Sequence, residues 1–141
     1  MIVLVQATVL TVGLNGKNEV LKELPIRLIT MQSGLAAARS LKNEKVNSVI
    51  SRWDLDDMPD GKFLKTLRAA RPSIPTIAFI RPGSKNQEIA ARSLGVSAVL
   101  AEDVTDELFK ETVANLLGIA GDVTIKAIAP AENVKELTRE R

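Results

Sequence analysis

The chain has 141 residues, of which 45% are hydrophobic and 26% charged, and a formal charge of +2. That length and balance fit one globular domain with a substantial buried core. Cysteine and histidine are absent, which excludes disulfides, Cys/His zinc sites, thiol nucleophiles and histidine bases, and leaves carboxylates, Lys, Ser and Thr for any chemistry.

The opening MIVLVQATVLTVGL has no basic leader and too short an apolar span for a membrane helix, so it reads as strand and the chain as cytoplasmic. TVLTVG (8–13) predicts the first strand, and NGKNEVLKEL (15–24) a short helix stopped by Pro25. PIRLIT (25–30) is the second strand; a helix over 33–43 follows, capped by Ser33, with Leu35, Ala38 and Leu41 on one face. VNSVIS (46–51) is the third strand, and GKFLKTLRAA (61–70) a helix with Phe63, Leu64 and Leu67 inward. PTIAFI (75–80) is apolar enough to be buried on both faces. The fourth helix (84–95) has Ser84 as N-cap and Gly95 beyond its end; SAVLA (97–101) is the fifth strand, and a fifth helix (105–118) ends at Gly118.

Strands alternating with helices require a parallel sheet with crossovers, an α/β doubly wound domain over 1–118. Residues 119–141 break the rhythm and form a C-terminal extension, either a linker or an added helix. Lys and Arg are interspersed with acids, and no basic stripe alternates with aromatics, so nucleic acid and membrane are not expected partners.

Ligands of such sheets bind at the carboxyl ends of the strands. After the first strand, GLNGK (13–17) departs from the P-loop spacing and reads as a turn. After the third, Asp54, Asp56, Asp57 and Asp60 are oxygen ligands for a hard cation or, as turn residues, a solvated loop with Asp60 capping the next helix. Lys17, Arg52 and Arg81 at strand ends give a candidate meeting point for an anion or nucleotide.

QSGLAAARSL, VNSVIS and MPDGKFLKTLRAARPSIPTIAFI resemble the receiver domain of response regulators, a (βα)5 flavodoxin-like fold typified by the chemotaxis regulator, over roughly 8–118. The resemblance implies a site of five positions, and this chain departs at each. The magnesium-binding acidic pair corresponds to Gly13 and Leu14, and the phospho-accepting aspartate to Arg52. The strand-four hydroxyl corresponds to Ile80, the strand-five lysine to Glu102 and the aromatic switch residue to Val99. From Arg52 to Gly61 the loop is one residue longer than usual in the family, and VISRW matches the strand end better than an alignment on Asp54.

The implied function is a pseudo-receiver of two-component signalling, not an enzyme and without metal or cofactor, that works by phosphorylation-independent protein–protein interaction. Its interaction face would be helix four, strand five and helix five, with Lys85, Glu88, Arg92, Val99, Asp106 and Lys110 meeting a protein partner or a second copy. The alternatives are an unconventional phospho-acceptor using Asp54 or Asp57 with Mg²⁺, and an anion- or nucleotide-binding module.

Overall fold

The computed structural model describes residues 7–118; the extension at 119–141 lies outside them. Strands β1 (Ala7–Val12), β2 (Ile26–Met31), β3 (Ser48–Arg52), β4 (Thr76–Ile80) and β5 (Ala98–Ala101) form one parallel sheet in the order β2-β1-β3-β4-β5. Between and after them run a 3-10 helix, η1 (Lys17–Glu23), and helices α1 (Gly34–Asn43), α2 (Lys62–Ala70), α3 (Lys85–Leu94) and α4 (Asp106–Leu117). This is the doubly wound, flavodoxin-like receiver fold expected from the sequence.

The period-2 alternation of the central strands builds two cores. Leu10, Val12, Val49, Ala78 and Ile80 point to one face, where they pack with Ala37 and Leu41 of α1, Phe63, Leu64 and Leu67 of α2, and Ala91 of α3. Val9, Ile50, Ile77 and Phe79 point to the other, against Leu21 of η1 and Phe109 and Val113 of α4. Phe79 and Phe109 meet edge to face at 5.0 Å. Each fully buried Val, Leu, Ile or Phe among them contributes about 1.5–3 kcal/mol of transfer free energy. β4 is buried along its whole length, as its unbroken apolar run requires.

Local signals act where expected. Ser33, Ser84 and Thr105 each accept the backbone N–H three residues on, capping α1, α3 and α4. Gly95 and Gly118 end α3 and α4 in the left-handed region that glycine tolerates.

Three expectations need correction. The helix over 15–24 is only a seven-residue 3-10 segment, because Asn15 and Gly16 spend the start of the crossover in a positive-φ turn and Pro25 closes its end. The inward stripe of α1 is Gly34, Ala37 and Leu41; Leu35 is 52% exposed and Ala38 is half-buried. The helix is rolled by one position because Gly34 sits under Met58, whose sulfur would lie 2.5 Å from an added Cβ. Asp60 does not cap α2: the cap is Gly61 at φ 74, which packs against the Trp53 ring, while Asp60 itself takes φ 57.

Among the described residues no helix is long and apolar enough to cross a membrane.

Candidate functional site

The strand order reverses between β1 and β3, so the crevice of this fold opens beyond their carboxyl ends. Arg52 is the last residue of β3, in register with Phe79 of β4. Its Nε donates to Glu102 Oε2 at 3.1 Å, an ion pair that reaches across β4 to the end of β5. Leu14, Asn15, Lys17, Phe79 and this pair line a cleft of about 270 Å³. Lys17, in the same cleft, donates to the Val104 carbonyl and lies 3.4 Å from Asp106. Every cation of the cleft therefore has its own carboxylate.

Apolar groups fill the rest of the strand-end region. Leu14 is 6% exposed and Leu55 3% exposed, and a Cβ on Gly13 would stand 2.7 Å from Leu55 Cδ2. Ile80 belongs to the core. No three His, Cys, Asp or Glu side chains among the described residues come together as a metal-binding group. The residues present do not fit a divalent cation, which needs several converging oxygens.

The loop aspartates diverge to separate duties. Asp54 Oδ2 accepts from Gln87 Nε2 at 2.8 Å and from Arg81 at 3.4 Å, and its Oδ1 accepts the Asp60 N–H at 2.5 Å. Gln87 in turn accepts the Arg81 backbone N–H at 2.8 Å, so the β3–α2 loop is tied to the start of α3. Asp57 reaches the opposite neighbour: its two oxygens accept the Gly34 and Leu35 N–H groups at 2.9 and 3.0 Å. These first-turn donors of α1 have no partner within the helix. They hold the Asp57 carboxyl below its ordinary range.

Of the anion-site candidates, Lys17 and Arg52 share the cleft, whereas Arg81 pairs with Asp54. Of the interaction-face candidates, Lys85, Glu88 and Val99 line a second groove of about 270 Å³ between α3 and β5. Arg92 pairs with Glu88 at 3.1 Å. Asp106 and Lys110 turn to η1 instead, where they meet Lys17 and Glu23. Ile89 on α3 is 62% exposed and Leu108 on α4 49% exposed. Neither was anticipated, although each is a large apolar residue outside its helix's buried stripe. Gln87 and Leu55 were missed because their roles depend on partners far away in the chain.

No family model matches the chain. It is 29% identical over 90 residues to the transcriptional regulatory protein GlrR of Escherichia coli, 64% of this chain and 20% of GlrR. It is also 29% identical over 79 residues to a chemotaxis protein CheY homolog of Campylobacter jejuni, 55% of this chain and 61% of the homolog. The chain thus spans about a fifth of the regulator and three fifths of the homolog. In three dimensions it is similar to the signal receiver domain of an HD domain-containing protein from Pseudomonas fluorescens, with a TM-score of 0.73 at 20% identity, covering 81% of this chain and 96% of that one. Sequence relatives and fold neighbours alike support a response-regulator receiver domain of the CheY-like type.

Proposed function

We propose that this is a pseudo-receiver: a receiver domain that signals through protein contact, without aspartyl phosphorylation and without catalysis of its own. The observation that carries this is the Arg52–Glu102 ion pair. The resemblance to receivers implies that Arg52 stands where the accepting aspartate belongs and Glu102 where the lysine belongs, which would invert the polarity of the pair. Phosphoryl transfer requires cations and donors around the transferring oxygens, since catalysis there is mostly positioning and charge stabilisation. At this strand end Glu102 is held by Arg52 and Asp106 by Lys17, and the positions that the resemblance assigns to metal binding are Gly13 and a buried Leu14.

Asp54 and Asp57 are poorly placed to substitute. Asp54 is committed to Gln87, Arg81 and the Asp60 N–H, and Asp57 to the start of α1. Phosphorylating either would break those bonds with no cation shell to compensate. The same Asp54–Gln87 bridge supports a fixed α3, which suits a domain that presents one surface constitutively. The surface we assign is the α3–β5–α4 face, with Lys85, Glu88, Arg92 and Val99 around the groove and exposed Ile89 beside them.

The test is an NMR titration of the chain with Mg²⁺ and beryllofluoride, a phosphoryl mimic. The expected result is no saturable shift at residues 52–57 or 102. Saturable binding that disappears in Asp54→Ala or Asp57→Ala would overturn the proposal in favour of an unconventional acceptor.

A further inference from the structure

Charges that alternate in the sequence are separated in space. Helix α1 carries Arg39 and Lys42, α2 carries Lys62, Lys65 and Arg68, and neither helix contains an acid. Lys45 and Arg71 extend the series just beyond the two helix ends. Both helices pack on the same side of the sheet. On the other side, α4 carries Asp106, Glu107 and Glu111 against the single Lys110.

The cations of the α1–α2 side also lack neutralising partners. None of them meets a carboxylate among the described residues. Lys65 lies over the Trp53 ring at 5.8 Å, and Arg68 and Arg71 donate to carbonyls. Apart from Lys85, every other Lys and Arg of the described residues is ion-paired. Helix stability explains only part of the series. Lys42 and Arg68 occupy last turns, where the dipole favours a cation. Lys62 opens α2, where the dipole disfavours one.

Between these two helices lies an apolar groove of about 230 Å³, floored by Leu41, Met58, Phe63 and Leu67, with Lys42 and Arg71 on its rim. A groove between two helices receives the apolar ridge of a third. We infer that the α1–α2 groove is a docking site for an acidic amphipathic helix of a partner protein, its leucine-type side chains in the groove and its carboxylates on the flanking Lys and Arg. The surface is separate from the α3–β5–α4 face and does not depend on its use.

The chemistry favours this occupant over other polyanions. Surfaces for single-stranded nucleic acid add stacking aromatics to their cations, whereas Trp53 and Phe63 here are 2% and 3% exposed, and duplex binding needs no apolar groove. Membrane-surface elements project large apolar side chains from a helix face; on α1 and α2 only Leu35 is large, apolar and exposed, at the amino end of α1. What this side offers is an apolar groove with Lys42 and Arg71 at its edge.

The experiment uses the full chain and a fluorescent synthetic helix of about 14 residues, with leucines at i, i+3, i+4 and i+7 spacing and glutamates elsewhere. A scrambled peptide of the same composition is the control. The expected result is saturable binding, with chemical-shift changes on α1 and α2, and about tenfold weaker binding of the scrambled peptide. Arg39→Glu with Lys42→Glu is expected to weaken binding about tenfold through charge reversal. Ala70→Trp, which fills the groove from an exposed position, is expected to weaken it likewise with no change of charge. Four results would each overturn the inference: no binding, equal binding of the scrambled peptide, shifts confined to other faces, or tighter binding to a DNA duplex or to anionic lipid vesicles than to the peptide.

Discussion

The strand-end cleft and the α1–α2 side use charge in opposite ways. In the cleft each cation meets a carboxylate of the same chain: Arg52 with Glu102, and Lys17 with Asp106. On the α1–α2 side no cation does so among the described residues. The cleft charges have partners that already hold them and are spent on structure. The outer charges contact a ring or carbonyls or lie in solvent, and their positive charge is not neutralised by a carboxylate among the described residues.

The largest effect should come from the core beneath the α1–α2 side. Trp53, 2% exposed, follows Arg52 directly and supports Gly61 at the start of α2. Trp53→Ala is expected to cost about 3–5 kcal/mol in urea unfolding, as for other large aromatic deletions. A loss below about 1 kcal/mol would mean that this end of the molecule is not the packed region described.

Next comes the ion pair. Its side chains are 29% and 33% exposed, so either Arg52→Ala or Glu102→Ala should destabilise by about 1–2 kcal/mol, part of it from the charge left alone. The double reversal Arg52→Glu with Glu102→Arg should recover most of that loss. If the double variant is no better than the singles, the pair is not what organises the cleft.

Asp57 gives a pH-dependent effect. Its folded carboxyl is held low by the Gly34 and Leu35 N–H groups. Its stabilisation is therefore fully present above the ordinary aspartate value of 3.8 and is lost as pH falls through the lower folded value. Melting temperatures of the native chain and Asp57→Asn should differ most near neutrality and converge in acid. A gap that stays constant with pH would contradict the capping role.

The smallest effect is expected on the other side of the comparison. Lys42→Glu should cost no more than about 1 kcal/mol, the helix-end dipole effect, because the side chain is exposed and has no carboxylate partner to lose. A larger loss would show that the α1–α2 cations do serve the fold.

What the sequence made legible follows the range of each interaction. Ser33, Ser84, Thr105, Gly95 and Gly118 act within a turn of their own position, and each marks its helix end as read. The alternation of Leu10, Val49 and Ile80 with Val9, Ile50 and Phe79 is equally local, so both cores were visible. The Arg52–Glu102 pair joins residues 50 positions apart, and Asp54 and Asp56 stand far nearer to Arg52 in the chain. Asp57 looked like a loop or metal residue because its targets, Gly34 and Leu35, belong to the preceding crossover. The basic side was hidden for a further reason. Residues 34–43 and 62–70 become one surface only when the sheet order sets their helices side by side, and the acidic 54–60 loop lies between them in the chain.

The most direct test of the central claim is intact-mass spectrometry of the chain after incubation with acetyl phosphate and Mg²⁺, alongside a receiver domain with an intact acidic site. The expected result is a phosphoryl adduct on the control and none on this chain. A stable adduct mapped to Asp54 or Asp57 would contradict the account and make the chain a working phospho-acceptor.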